Sequence, residues 1–198
     1  MYEFNIEDLN FRKIVKDFLN RRNVTFYENA AVLEVKAQSL QKLSIYVKQN
    51  RSYIEYEKVS NILKDVVEIQ KILEKNNLCI SYYDFDDIVV VNDEIFLFIN
   101  DKKIENIENG EISIRKPISK DKPFLPPKIT EAKSLPIVFH YKESYLSLAL
   151  LTLKLLTPEN KVLEFTEEMR EKLYPTKLYW FLKTIYDNDV RSKDLIII

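Results

Sequence analysis

The stretch from Ser144 to Thr157, SYLSLALLTLKLLT, constrains the fold more than any other part of the sequence. Its apolar residues would cover nearly the whole circumference of a helix and leave only a narrow polar strip at Ser147 and Lys154. A helix that is apolar on all sides is normally buried, so the surrounding chain must pack around it. The run ends at Thr157-Pro158 and is too short for a membrane span, which needs about 20 consecutive apolar residues. We therefore predict a fold built around a central buried helix, with no membrane partner.

The length of 198 residues fits one domain with a sizeable core. Lys and Arg number 30 against 31 Asp and Glu, so the net charge is only −1. Proteins that bind phosphate backbones usually carry a clustered basic excess, so nucleic acid is not an expected partner. The N-terminal sequence MYEFNIED has no apolar signal segment, which favours an intracellular setting.

Three residue types are scarce enough to exclude whole classes of site. The lone cysteine, Cys79, excludes internal disulfides, and together with the lone histidine, His140, it leaves too few soft ligands for a structural zinc ion. We expect Cys79 to be a small buried side chain and His140 to be structural or exposed. The single glycine, Gly110, excludes a glycine-rich loop that could cradle a phosphate.

Hydrophobic spacing predicts an α+β fold in which helices predominate. The predicted helices span 5–20 with Asn5 as a possible N-cap, 39–48, 56–75, 144–157, 166–173 and 177–186. The predicted strands span 24–27, 30–35, 88–91 and 94–99, with an extended piece at 78–83. The last two strands should form a hairpin across Asn92-Asp93. The helix from Tyr56 to Lys75 has the strongest amphipathic pattern and should pack on the central helix.

Residues 100–127 are charged and proline-containing and predict a long loop with one short strand, Ile112 to Arg115. Loops of this length inside compact domains are often functional or disordered. The basic part from Arg115 to Lys128 could bind an acidic partner, but interspersed acidic residues favour a solvated loop. The chain ends in an apolar tail, Leu195 to Ile198, which must be packed or covered.

Two further features are candidate sites with simpler alternatives. Asp84, Asp86 and Asp87 form the only acidic cluster that could hold a divalent cation. Solvated carboxylates that cap a turn are the favoured interpretation, because short acidic clusters are common in loops. The aromatic residues of the last helix fit a core face better than a base-stacking surface, although Trp180 could lie at an interface.

The order of these elements resembles the protein kinase fold from its regulatory helix onward. Ala30–Val35 is similar to the strand that enters the interlobe hinge, and Tyr56–Leu78 is similar to the long helix before the catalytic loop. Phe124–Lys128 resembles the Ala-Pro-Glu region, and Leu135–Leu150 resembles the segment of the Asp-x-Trp-Ser-x-Gly helix. Leu178–Leu182 together with Asp189–Arg191 resembles the late helix and its arginine. The segments SLPIVFHYKESYLSLALL and TKLYWFL are most similar in sequence to divergent kinase-like proteins of large DNA viruses of eukaryotes.

This resemblance implies a single kinase-like domain over residues 1–198. Residues 1–36 would be the remnant of the small lobe, a reduced helix and strand pair. Residues 37–198 would form the large lobe, mostly helical around the buried helix.

The departures from the kinase pattern decide the expected function. Tyr82 stands where the family has its catalytic aspartate, and Ile99 or Asn100 stands at the metal-binding carboxylate. Asp87 takes the position of the metal-binding asparagine. The Gly-rich strand pair and the phosphate-binding lysine are absent, and Lys128 replaces the glutamate that pairs with the late arginine, here Arg191.

The resemblance therefore implies a catalytically inactive domain, a pseudokinase. We predict no enzyme activity, no cofactor, and no catalytic, cofactor-binding or metal-binding residue. The expected role is that of a viral protein-binding or scaffolding module, with a protein partner or a second copy, in the host cytoplasm or the virion. Two alternatives stay open: a minor virion structural protein, and an atypical phosphotransferase that needs a partner subunit.

Overall fold

The computed structural model describes residues 1–50, 54–157 and 164–187, which form a mixed α and β fold, compatible with the predicted α+β class. The strands are β1 Tyr2–Asn5, β2 Phe26–Asn29, β3 Val32–Val35, β4 Leu40–Lys42, β5 Leu78–Ile80, β6 Ile88–Val91, β7 Ile95–Phe98, β8 Ile104–Asn106, β9 Glu111–Ile114 and β10 Ile137–His140. The helices are α1 Leu9–Arg21, α2 Leu43–Gln49, α3 Tyr56–Lys75, α4 Pro127–Glu131, α5 Ser144–Leu156, α6 Glu167–Leu173 and α7 Lys177–Asp187.

The N-terminal sheet has the antiparallel order β1-β3-β2. The predicted strand pair is present, but each strand begins two residues later than predicted. The sheet also contains β1, in which apolar and polar residues alternate so that Phe4 faces the core. The prediction that Asn5 caps the first helix is wrong, because Asn5 belongs to β1. Asp8 is the cap, and its Oδ1 accepts a hydrogen bond from Phe11 N at 2.7 Å.

A second antiparallel sheet has the order β4-β6-β7. The predicted hairpin is confirmed, with Asn92 and Asp93 in the left-handed region at φ 52° and 59°. The predicted helix from residue 39 is wrong in its first part, because Leu40–Lys42 pair with β6 and α2 begins only at Leu43. The Asn92 side chain holds the incoming chain, and its Oδ1 accepts from Gln38 N at 2.8 Å.

The central helix α5 has the predicted burial and the predicted packing partner. No residue of α5 is exposed, and it packs against α3 and α7. The bounds of α3 agree with the prediction. The expected polar strip is wrong at Ser147, which is fully buried; the partly accessible side of the helix carries Leu146, Leu150 and Lys154.

Residues 100–127 are more ordered than predicted. β8 pairs antiparallel with β5, and β9 pairs with β10. A small second core lies here, separate from the main one, and consists of Cys79, Ile112, Ile114, Leu125, Ile129 and Phe139. The predicted short strand at Ile112 to Arg115 corresponds to β9, whereas β8 and β10 were missed because they are only three and four residues long.

The last described helices, α6 and α7, have nearly their predicted bounds. The hydroxyl of Thr166 caps α6 by accepting from Met169 N at 3.4 Å. The apolar tail Leu195–Ile198 and the kinase-like arginine position Arg191 lie outside the described residues.

Candidate functional site

The loop from Ser81 to Asp87 joins β5 to β6 and contacts the central helix α5. We call it the site loop. Two elements fix its backbone. Tyr83 N donates to Ser147 Oγ of α5 at 2.8 Å, and Ser81 N donates to the carbonyl of Lys103 at 2.9 Å. The buried serine of the central helix therefore positions the loop rather than marking a solvent-facing strip.

Gln70 of α3 supports the site loop from below and is fully buried. Its Oε1 accepts from Tyr83 Oη at 3.0 Å and from Ile80 N at 3.2 Å, while its Nε2 donates to Glu74 Oε1 at 3.0 Å. Burial raises the pKa of Tyr83 well above its usual range, so the phenol stays protonated and keeps donating. This network joins α3, α5 and the loop into one rigid base.

Asp87 and Lys103 form a buried ion pair at the end of the site loop. The relative exposure of their side chains is 7% and 8% respectively. Asn100 Nδ2 donates to the other oxygen, Asp87 Oδ1, at 2.7 Å. Burial lowers the pKa of Lys103, and the neighbouring Asp87 opposes that shift. The charged partner of Asp87 is thus a lysine of the same chain.

Lys103 was missed by sequence reasoning. It follows exposed Lys102 in a charged stretch, and a lysine in such a stretch is normally solvated. Its burial depends on Asp87, which lies 16 residues away.

Tyr82 lies beside this pair. The Lys103 ammonium is 3.7 Å from the centre of the Tyr82 ring, within the range of a cation–π contact. Burial, followed by the charge of Asp87, raises the pKa of the half-buried Tyr82 phenol. A phenol with a raised pKa holds its proton at neutral pH, so Tyr82 is a poor general base.

The acidic corner does not act as a unit. Asp84 pairs with Lys122 at 2.9 Å, exposed Asp86 accepts from Ser44 Oγ at 2.5 Å, and Asp87 faces Lys103 and Asn100. The pairing with Asp84 raises the pKa of Lys122. Within the described parts of the chain, no group of three or more His, Cys, Asp or Glu residues could hold a metal ion.

The segment from Arg115 to Lys128 is only partly the solvated loop that the charges predict. Lys122 reaches Asp84, and Phe124 is 2% exposed with its ring centroid 5.0 Å from that of Phe85. Lys128 itself is exposed on α4. The middle of this segment therefore covers the outer side of the site loop.

Cys79 and His140 both have structural surroundings. Cys79 is fully buried, and burial raises its pKa to about 12, so the thiol is not a nucleophile at neutral pH. His140 Nδ1 accepts from Lys142 N at 3.3 Å and caps the short 3₁₀ turn before α5.

The aromatic residues of α7 divide between core and surface. Tyr179 and Phe181 are buried, in line with the core interpretation, whereas Trp180 and Tyr186 are both 39% exposed. Trp180 lies next to exposed Tyr174, with the ring centroids 6.4 Å apart.

None of the known protein-family models matches this chain, and no curated protein is significantly similar to it. Among the described helices, none combines the length and the apolar character that crossing a membrane requires. The side chains that meet at the site loop are therefore the main guide to function.

Proposed function

We propose that the chain is a catalytically inactive kinase-like domain that acts by binding other proteins. The order of elements supports this proposal. A small sheet with helix α1 precedes a helical part built around α5, and the β6–β7 hairpin lies between the paired strands β5 and β8. Under the proposal, residues 1–36 correspond to a reduced small lobe and residues 37–198 to the large lobe.

The strand before α1 supports the loss of phosphate binding. In protein kinases the lysine that contacts the ATP phosphates lies on the strand that precedes the regulatory helix. In this chain β1 precedes α1 and pairs with β3. Its sequence, Tyr-Glu-Phe-Asn, nevertheless contains no lysine. Under the proposal, β1 corresponds to that kinase strand without the residue that would hold the nucleotide.

The buried pair of Asp87 and Lys103 is the observation that carries the proposal. By the kinase resemblance, Asp87 occupies one metal-binding position and either Ile99 or Asn100 the other, and in this chain the side chain of Asn100 donates to Asp87 at 2.7 Å. Lys103 supplies a fixed positive charge to the same carboxylate. A divalent cation would have to displace a buried ammonium, which would itself be left unpaired at a cost of several kcal/mol.

The sheet edges support a protein partner or a second copy. β1 and β2 are the two outer strands of the N-terminal sheet, and an open strand edge pairs readily with another chain. β3 is the central strand of this sheet and contributes no free edge. We place this activity inside the cell, in the host cytoplasm or the virion of a virus.

Calorimetric titration of the purified full chain with ATP and Mg²⁺ tests the proposal. We expect no saturable heat, because neither a phosphate-binding lysine nor a free metal-binding carboxylate is present at the site loop. Saturable binding would favour a phosphotransferase that needs a partner subunit. Mass spectrometry of purified particles would distinguish a minor virion protein from a soluble regulator.

A further inference from the structure

A cleft of about 420 Å³ lies between the N-terminal sheet and the β4-β6-β7 sheet. One wall is β1, through Glu3, Phe4 and Asn5, and the other is β4, through residues 40–42. Its floor is formed by Val89, which is buried, and Ile99, which is half-buried. Two strand edges thus face each other across an apolar floor.

The hydrogen-bond pattern shows which groups of β1 face the cleft. Ile6 N donates to Ala31 O at 2.9 Å, and the register pairs Phe4 with Leu33 and Tyr2 with Val35. Hydrogen-bonded and non-bonded pairs alternate in an antiparallel ladder, so residues 2, 4 and 6 bond to β3. The N–H and C=O groups of Glu3 and Asn5 therefore point outward along the free edge.

The opposite wall has the same character. Asn92 N donates to Ser39 O at 2.9 Å, and the register pairs Gln41 with Val90. By the same alternation, Ser39 and Gln41 bond to β6, while the backbone of Leu40 turns away from it, toward the cleft.

The β1 side of the cleft carries two like charges, which favour a ligand with a positive charge. Glu3 lies directly opposite Glu34 of β3, as a pair that is not hydrogen-bonded. Like charges in this arrangement are destabilising, and neither carboxylate has a salt bridge to a described residue. The pair lies on the face opposite to buried Phe4. A cation brought to this face would relieve the repulsion.

We propose that the cleft binds an extended segment of a partner protein, which adds as a strand to the edge of β1. A polypeptide is the ligand that presents amide donors and acceptors at the two-residue repeat of Glu3 and Asn5. Its side chains alternate between an apolar residue over Val89 and Ile99 and a Lys or Arg beside Glu3 and Glu34. This inference rests on the proposed protein-binding function and assigns its site.

A display library of random linear ten-residue peptides is the probe, used against the full chain. We expect selected peptides to alternate apolar with basic residues. N-methylation of the selected peptide should weaken binding about tenfold at alternate positions, where an amide donates to β1, because one hydrogen bond and the close approach are lost. Binding should also protect the Asn5 amide from hydrogen exchange.

Charge reversal gives a matched pair of protein variants. Glu3→Lys should weaken the selected peptide about tenfold, whereas Glu57→Lys, at an exposed position of α3, should leave binding unchanged. Both substitutions change an exposed side chain, so loss of folding does not account for a difference between them.

Three results would overturn the cleft proposal: no enriched peptide, binding that no single N-methyl group weakens, or equal effects of the two charge reversals. The last two results would still leave peptide binding by the chain, so the protein-binding function would stand and only its place would be wrong. Displacement of the peptide by ATP would assign the cleft to a nucleotide instead.

Discussion

The carboxylate of Asp87 and the ammonium of Lys103 form an ion pair that is almost completely withdrawn from water. Asn100 and the ring of Tyr82 complete its surroundings, and the pair closes the site loop against the turn that precedes β8. The positive charge beside Asp87 is thus supplied by a lysine of the chain itself.

Removal of one partner should show how much stability depends on the pair. We expect Lys103→Met to lower the free energy of unfolding by about 3–5 kcal/mol, because it leaves Asp87 buried and unpaired. The double variant Asp87→Leu/Lys103→Met should recover part of that loss. Urea denaturation followed by circular dichroism measures both. Lys102→Met, at the exposed neighbour, is the control and should change stability by less than about 0.5 kcal/mol.

Replacement of Ser147 should lower the stability of the fold more than replacement of Ser144 on the same helix. Ser147→Ala removes the acceptor of Tyr83 N and leaves a buried amide without a partner, which costs about 1–3 kcal/mol. Ser144→Ala is equally buried but loses only a 3.5 Å contact with the Cys79 sulfur. Thermal unfolding of the two variants should rank Ser147→Ala as the less stable, and the reverse order would remove α5 as the support of the site loop.

Arg12 should be irreplaceable even by lysine. Its guanidinium is buried under the β2–β3 turn, where Nε donates to Ile6 O at 2.8 Å and Nη1 donates to Ala30 O. A single ammonium cannot reach both carbonyls, so we expect Arg12→Lys to cost about 2–3 kcal/mol in chemical denaturation. Lys13→Arg, at an exposed position of the same helix, should be neutral. If Arg12→Lys left the free energy of unfolding unchanged, water would have to hydrogen-bond to these carbonyls in the variant.

Cys79 should resist alkylation in the folded protein. With its pKa raised to about 12, the thiol is almost entirely protonated at pH 8, and it is also fully buried. We expect iodoacetamide at pH 8 to leave the native thiol unmodified and to label it rapidly in denaturing urea, as followed by mass spectrometry. Rapid labelling without denaturant would show that the second core opens readily.

Sequence patterns predicted the elements that are long or regular. The helix from Tyr56 to Lys75 follows from its spacing, since it buries one apolar face, and the hairpin across Asn92-Asp93 follows from two continuous apolar runs on either side of a turn dipeptide. The sequence patterns did not predict the short elements β1 and β4. β4 continues directly into α2, so its three residues resemble the first turn of a helix in sequence. β1 ends at Asn5, a residue type that is also common at helix caps.

The candidate site was only half predictable. The kinase resemblance pointed to Tyr82, Asp87 and either Ile99 or Asn100, but not to the contacts among them. Lys103 was missed because a buried lysine has no sequence signature: its burial depends on a carboxylate brought near by the pairing of β5 with β8. The partners of Asp84 and Asp86 depend on tertiary contacts in the same way.

Phosphate transfer from radiolabelled ATP, with Mg²⁺ or Mn²⁺, tests the central proposal most directly. The assay compares the full chain with its Tyr82→Phe variant, each alone and with any reconstituted partner. We predict equal, background-level incorporation for both proteins, because the catalytic-base position carries the Tyr82 phenol with its raised pKa and Asp87 is paired with Lys103. Incorporation by the natural chain that Tyr82→Phe abolishes would contradict the account and make this domain an enzyme.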